Sequence, residues 1–229
     1  MKKTKRLAVV MGLLLLLAAV TTAVPAFAAT SGGWTVSKAR YSFLTKGQKK
    51  TFNKAVKGMT GVTYKPTALL AKQVVAGMNY VYLCQGTTVA RKPVKAWYIL
   101  KVNKDLKNKV SLISAKKIKL NKVKTAKNPR EDIASGGLEI TKIKNKPKKA
   151  LSKSVRKVFS KGIKSYVGYE LRPIALLGTQ VVAGKNYKFL CYGTGYAGKD
   201  LFVVDIYKNL KGKCSISSCK PLKLEKYVN

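Results

Sequence analysis

Apolar residues recur at helical spacing in two short segments of the chain. They are Phe52, Ala55, Val56 and Met59 in the first segment and Val155, Val158, Phe159 and Ile163 in the second. Lysines follow one face of the first segment at i,i+4 spacing, at positions 46, 50 and 54. Because such like-charge pairs destabilise an isolated helix, we expect packing of the apolar face to hold this helix in place.

Strand-like segments follow each predicted helix, beginning after Pro66 and Pro173. In the first half of the chain they cover residues 68–75, 80–84, 96–103 and 110–116. Gly77 and Gly184 each separate two such segments, and glycine tolerates the positive φ that a tight hairpin requires. A helix followed by an antiparallel meander predicts an α+β unit with the helix packed on one face of the sheet.

The two halves of the chain form an internal repeat. Residues 73–80, with the sequence QVVAGMNY, return at 180–187 as QVVAGKNY, and Leu-Cys and Gly-Thr pairs follow both segments. Each repeat has about a hundred residues, enough to bury a core of its own. We therefore predict one domain at 29–121, a polar linker at 122–135 and a second domain at 136–229.

The N-terminal residues have the order of a secretory leader. Basic residues within positions 1–6 precede an uncharged, leucine-rich stretch from Leu7 to Val24, and Ala26-Phe27-Ala28 matches an A-x-A cleavage site. We predict a signal peptide at 1–28, a secreted or cell-surface protein that begins at Ala29, and no membrane span after cleavage. An uncleaved membrane anchor is the alternative, because the apolar run approaches the length that spans a bilayer.

The charge of the chain is strongly positive, with 47 Lys+Arg against 8 Asp+Glu. Such a chain attracts polyanions. Most of the cations are lysines, whereas bidentate recognition of phosphate favours arginine. The charge therefore predicts non-specific attraction to a polyanionic surface and no specific nucleic-acid site.

Catalytic residues of the common kinds are missing from the sequence. There is no histidine, which removes Ser-His-Asp and Cys-His chemistry and the commonest metal ligand. The few acidic residues are scattered, and no equivalent pair occurs in both repeats, so paired-carboxylate chemistry is not indicated. We predict a protein that is not an enzyme and has no cofactor or metal.

The segment QVVAG followed by x-Asn-Tyr resembles the Q-x-V-x-G loop of the cystatins. A Gly-Gly pair near the predicted mature N-terminus, a helix and a second hairpin agree with that resemblance in order along the chain. It implies two cystatin-like domains, each with one helix packed on a 4-5-stranded antiparallel sheet. It also implies inhibition of a papain-like cysteine protease, in which three segments of the inhibitor fill the active-site cleft.

The resemblance assigns protease contacts to equivalent residues in both repeats. They are Gly33, Gln73, Val74, Val75, Ala76, Gly77 and Leu106 in the first repeat and Gly137, Gln180, Val181, Val182, Ala183, Gly184 and Leu210 in the second. The second hairpins depart from the family, because cystatins usually have Pro-Trp there and this chain offers only the two leucines as apolar tips.

Two other interpretations stand beside inhibition. The QVVAG segment would then be a turn of the fold alone, since a fold does not establish a function. In that case we expect a non-catalytic binding module that attaches to an anionic surface, such as a cell-wall polymer, through its lysine-rich faces. Membrane disruption is a third reading, but it needs a wider apolar helix face than these segments have.

Four cysteines are present, an even number that suggests disulfides in a secreted chain. Cys84 and Cys191 are equivalent, whereas Cys214 and Cys219 occur only in the second repeat. Cys84 is expected either as a free, partly buried thiol or as a bridge to the second repeat or to another chain. One bridge is expected within the second repeat, with its connectivity open.

Overall fold

The computed structural model describes the backbone at 34–36 and 139–140 and the full residues at 44–120, 151–196 and 198–228, with the side chain of Val36. All of them belong to one compact unit within Ser31–Asn229. The predicted leader at 1–28 and linker at 122–135 lie outside the described residues.

Ten strands and three helices make up the described part of the chain. The strands are β1 (Trp34–Val36), β2 (Val62–Val75), β3 (Gly77–Thr88), β4 (Lys95–Lys104), β5 (Val110–Lys117), β6 (Glu139–Ile140), β7 (Glu170–Val182), β8 (Gly184–Gly195), β9 (Gly198–Lys208) and β10 (Cys214–Pro221). The helices are α1 (Lys46–Ala55), α2 (Lys153–Gly162) and the short α3 (Glu225–Val228).

Each repeat forms one five-stranded antiparallel sheet in which strands follow one another in chain order. The bulges recur as well: β2 shifts register between Pro66 and Ala68, and β7 shifts between Pro173 and Ala175. Proline cannot donate to a strand ladder, so the ladder is interrupted at the same place in both sheets. The repeat in the sequence is therefore a repeat in strand order and in irregularities.

Each sheet is buried on both faces. In β3, Tyr82 packs in the core beneath α1, and its neighbour Leu83 packs in a core shared by the two sheets. In β8, Phe189 packs in the core beneath α2, and Leu190 packs in the shared core. Because successive residues of a strand point to opposite faces, the layers follow in the order α1, first sheet, second sheet, α2.

The two sheets contact each other with approximate two-fold symmetry. Strand β2 faces its own equivalent β7, and β1 faces β9 as β6 faces β4. The shared core includes Leu70, Ile99, Leu177 and Leu201. The Trp97 side chain reaches across it, and its Nε1 donates to the carbonyl oxygen of Leu177 at 2.5 Å.

The predicted α+β fold of two cystatin-like domains is wrong. The described chain is mostly β, and its two sheets pack face to face in one compact unit instead of forming two separate helix-on-sheet domains. The physical reason is visible in runs such as Val81-Tyr82-Leu83-Cys84, which are buried at every position. A strand with uninterrupted apolar residues has two faces to bury, and one helix covers only one of them.

The predicted helices are present but shorter than the apolar pattern suggested. Phe52 is buried against the first sheet, but α1 ends at Ala55, and Met59 lies beyond it with 38% of its surface exposed. Gly58 follows the helix with φ of 80°, a left-handed conformation that commonly terminates a helix.

Candidate functional site

Helix α1 has a well-formed N-terminus and a single anchoring aromatic residue. The Thr45 side chain accepts from the Gln48 backbone N–H at 3.2 Å, and the Gln48 side chain accepts from the Thr45 N–H at 2.9 Å. This reciprocal capping box satisfies two backbone donors. Phe52 meets the Tyr82 ring edge-on, with 5.2 Å between ring centroids, so the opposite side of the helix faces solvent.

Helix α2 is built in the same way. The Ser152 hydroxyl accepts from the Val155 N–H at 3.3 Å, and Phe159 meets the Phe189 ring edge-on at 5.0 Å. Phe159 and Phe189 are the equivalents of Phe52 and Tyr82. The same anchor therefore fixes which face of each helix is exposed.

The exposed face of each helix is basic at the same positions. The cations are Lys46, Lys49, Lys50, Lys54 and Lys57 at α1 and Lys153, Arg156, Lys157, Lys161 and Lys164 at α2, and all of them are exposed. Other exposed positions have diverged: Gly47 corresponds to Ser154 and Asn53 to Ser160. Since 47 of the 229 residues are Lys or Arg, agreement at all five positions is not expected by chance. We call these two surfaces the basic helix faces.

Few carboxylates lie near these cations. Asp105 is the one acidic residue between positions 44 and 120. In the described part of the chain, the ion pairs join Arg172 to Glu170 and Lys188 to Asp205, each at 2.6 Å, and neither includes a lysine of a helix face. Between residues that the structure describes, these ion pairs therefore leave the like charges of the helix-face lysines at i,i+3 and i,i+4 in place.

A groove of about 560 Å³ lies between α1 and the first sheet. Lys50, Lys54, Lys72 and Lys104 line it, and the Lys72 Nζ lies 5.9 Å from the centre of the Tyr80 ring, which also lines it. In the second repeat the position of Lys72 is occupied by Thr179, and that of Thr51, another lining residue, by the buried Val158. The groove beside α1 is thus more basic than the equivalent surface beside α2.

The QVVAG segments form the β2–β3 and β7–β8 hairpins, with Ala76 and Ala183 exposed at the tips. Gly77 and Gly184 have φ of 115° and 119°. A Cβ atom at Gly77 would lie 2.3 Å from the Lys104 carbonyl oxygen, and one at Gly184 would lie 2.5 Å from that of Lys208. The fold itself requires glycine at both positions, because the backbone of the neighbouring strand leaves no room for a side chain.

The glutamine of each segment points inward. In the first repeat the Asn79 Nδ2 donates to the Gln73 Oε1 at 2.7 Å, and the Asn103 Nδ2 donates to the Asn79 Oδ1 at 2.8 Å. Gln180 and Asn186 are buried at the equivalent positions. The Gln and the Asn of the repeated segment therefore form polar positions inside the fold.

The first valine after each glutamine is more exposed than the glutamine itself. Val74 is 42% exposed and Val181 is 62% exposed, whereas Val75 and Val182 are half-buried. Leu106 and Leu210, at the tips of the β4–β5 and β9–β10 hairpins, are 79% and 84% exposed. Met78 pairs with Lys104, and a Cβ atom at Gly77 would lie 2.8 Å from the Asp105 Cα. The two hairpin tips of the first repeat therefore lie side by side.

Gly33 and Gly137, the remaining predicted contacts, lie outside the described residues. The neighbouring backbone is described in both repeats: Trp34 pairs with Gln73, and Glu139 pairs with Thr179. In the first repeat, β1 therefore starts beside the strand that ends at the QVVAG tip.

All four cysteines are free thiols. The bridge expected within the second repeat is therefore not formed. Cys214 and Cys219 both lie within β10, where five residues span about 16 Å, which is too far for a bridge between them. Burial raises the pKa of the Cys84 thiol, and burial followed by the nearby Cys219 raises the pKa of the Cys191 thiol. Both thiols are therefore poor nucleophiles.

Neither metal ligands nor a membrane-spanning helix are found in the described ranges. Residues 44–120, 151–196 and 198–228 contain no group of three or more His, Cys, Asp and Glu side chains arranged to hold a metal ion. Among the same residues, no helix has the length and apolar character needed to cross a bilayer. That the protein is not an enzyme stays a prediction.

No family model matches the chain, and no curated protein matches it. A solved structure described as an Ntf2 like protein involved in plasmid conjugation is similar to it at 7% sequence identity, over 80% of this chain and 90% of that chain, with a TM-score of 0.22. A similarity at that TM-score assigns neither a family nor a function to this chain.

Proposed function

We propose that the protein is a non-catalytic, extracellular binding module that attaches to an acidic polymer through its two basic helix faces. The observation that supports this most is the clustering of five exposed cations on α1 and of five on α2, at equivalent positions. Packing explains why Phe52 and Phe159 recur, but it does not explain exposed lysines that destabilise their own helix. A ligand with repeated negative charges lowers the repulsion between these lysines.

The chemistry of the faces favours an acidic polymer without bases. The cations are almost all lysines, which bind as point charges and not as bidentate forks. Single-stranded nucleic acids are usually bound by a basic groove together with aromatic rings on which bases stack. On α1 and α2 themselves, Phe52 and Phe159 point into the cores. Among the described residues, the groove beside α1 is lined by one ring, that of Tyr80, which cannot stack a series of successive bases.

The test is the affinity of the mature chain for fluorescein-labelled polyphosphate, measured by anisotropy at several salt concentrations. The variant Lys50→Glu/Lys54→Glu/Lys157→Glu/Lys161→Glu should lose most of the affinity and most of the dependence on salt, because counterion release scales with the contacts made. A polyglutamate chain in place of polyphosphate shows whether carboxylates serve as well as phosphates.

A control variant with the same net charge is available at the hairpin tips. Lys107, Lys109, Lys211 and Lys213 are exposed and occupy equivalent positions in the two repeats. Their replacement by Glu should reduce binding far less than replacement of the helix lysines. Equal loss in both variants would mean that net charge alone attracts the polymer, and the proposal of basic helix faces would be wrong. Tighter binding to single-stranded DNA than to polyphosphate would move the function to nucleic acid.

A second candidate function, inhibition of a papain-like cysteine protease, has its own supporting observation. The exposed Val74 and Leu106 lie on two hairpins whose tips are adjacent in the first repeat. An apolar edge of this kind suits insertion into a protease cleft. Inhibition of papain at about 0.5 M salt, where the Debye length is only several ångströms, should then be lost in Val74→Lys/Leu106→Lys, whereas the double change at Lys50 and Lys54 should have no effect.

A further inference from the structure

The two basic helix faces point away from each other. Helix α1 covers the outer face of the first sheet through Phe52, and α2 covers the outer face of the second sheet through Phe159. The inner faces of the two sheets meet in the shared core around Leu83 and Leu190. The lysines therefore lie on opposite outer surfaces of a four-layered particle.

The separation between the faces is large compared with the range of their charges. Three layer spacings of about 10 Å place the two helix axes about 30 Å apart. The Debye length is about 8 Å at physiological ionic strength. Each face therefore attracts a polyanion without being influenced by the other, and a polymer bound to one face leaves the other face free.

We propose that the protein bridges two strands of an acidic polymer, with one strand on each basic helix face. This inference rests on the proposed function and adds that the chain is a two-sided cross-linker. The ligand is an extended polymer with repeated phosphate or carboxylate groups. From Lys46 to Lys54 the helix spans about 12 Å, so several consecutive groups of one strand contact each face.

A sandwich assay tests the bridging directly. Biotinylated polyphosphate is fixed on a streptavidin surface, the mature chain is bound and excess protein is washed away, and short fluorescein-labelled polyphosphate is then added. The wild type should capture the labelled chain. Lys50→Glu/Lys54→Glu and Lys157→Glu/Lys161→Glu should each still bind the surface, at reduced affinity, and capture at least tenfold less label. The control Lys107→Glu/Lys109→Glu should capture like the wild type.

The outcomes separate this inference from the function on which it rests. If the wild type does not bind the surface polymer, the proposed function fails. If the wild type binds but captures no label, or if either single-helix variant captures as much as the wild type, bridging by opposite faces is wrong and the binding function stands. A mixture of the two single-helix variants should not restore capture. Restored capture would mean that association of two chains, and not the two faces of one chain, joins the strands.

Discussion

The first and second repeats share a strand order and differ in how they treat charge. In the second repeat, Lys188 and Asp205 form a buried ion pair at 2.6 Å on the inner sheet face. The equivalent positions in the first repeat are Val81 and Lys101, and the Lys101 Nζ donates to the carbonyl oxygen of Val228 in α3 at 2.8 Å. On the inner sheet face of the second repeat, the charge of Lys188 is neutralised by Asp205. On that of the first repeat, Lys101 instead donates to the C-terminal helix α3.

The exposed helix faces, unlike the inner sheet faces, carry the same kind of charge in both repeats. Inner residues have exchanged Val for Lys and Lys for Asp, while every cation of the basic helix faces has remained a cation. Core positions of a duplicated unit are free to change when their neighbours change with them, and exposed positions usually diverge without cost. Lysine is also retained at the exposed hairpin tips, at 107 and 211 and at 109 and 213. The helix faces differ from the tips in that five cations cluster on one helix, and this clustering indicates a role outside the fold.

The largest effect is expected at the hairpin glycines. Gly77→Ala and Gly184→Ala should each lower the free energy of unfolding by about 3 kcal/mol or more, because a strained φ is combined with a Cβ that lies 2.3 or 2.5 Å from a backbone oxygen. Urea denaturation gives the values. Gly58→Ala is the control, since it has φ of 80° with no atom within 4 Å of its Cβ and should cost about 1 kcal/mol. Equal losses at the three sites would contradict the packing at the tips.

The next effect concerns the contact between the sheets. Trp97→Leu gives the first repeat the residue that the second has at Leu201, and it should cost about 2–4 kcal/mol through lost burial and an unpaired Leu177 carbonyl. Leu201→Met, which nearly conserves volume, should cost less than about 1.5 kcal/mol. Chemical denaturation followed by circular dichroism measures both. A Trp97 variant as stable as the wild type would show that the sheets do not share this core.

A pH effect should follow from the buried thiols. Folding raises the pKa of Cys84 and Cys191 above the ordinary value of 9.0, so the unfolded chain releases these protons first. Stability should be unaffected below about pH 8 and fall above pH 9 by at most about 1.4 kcal/mol per pH unit for each thiol. Cys84→Ala should make the decline shallower. A decline that is unchanged in Cys84→Ala would mean that this thiol does not cause it.

The smallest effect should distinguish the two polymer sites. With the second helix face disabled by Lys157→Glu/Lys161→Glu, the change Lys72→Thr should weaken polyphosphate binding roughly two- to five-fold, because one screened lysine contributes about 0.5–1 kcal/mol. The reciprocal change, Thr179→Lys with the first face disabled, should strengthen binding by a similar factor. Anisotropy titrations check both. If neither change alters the affinity, the groove beside Tyr80 does not take part in binding.

Sequence reasoning found the repeat, the helices and the meanders, because periodicity and hairpin glycines are local signals. It missed the packing of the sheets, although Val81-Tyr82-Leu83-Cys84 and the apolar run at 68–71 already lacked the alternation of a half-buried strand. The QVVAG segment resembles an inhibitory loop in sequence, whereas the structure gives its Gln73 and Gly77, and the neighbouring Asn79, structural roles. The basic helix faces could have been found by aligning exposed positions between the repeats. That the two basic helix faces lie on opposite outer surfaces follows from the order of the layers. No local sequence pattern contains that order.

The most direct test of this account is the number of short polyphosphate chains that one protein chain binds, measured by native mass spectrometry. The account predicts two chains bound to the wild type, one to Lys50→Glu/Lys54→Glu, one to Lys157→Glu/Lys161→Glu and none to the combined variant. A single chain bound to the wild type, or two chains still bound to either single-helix variant, would contradict it.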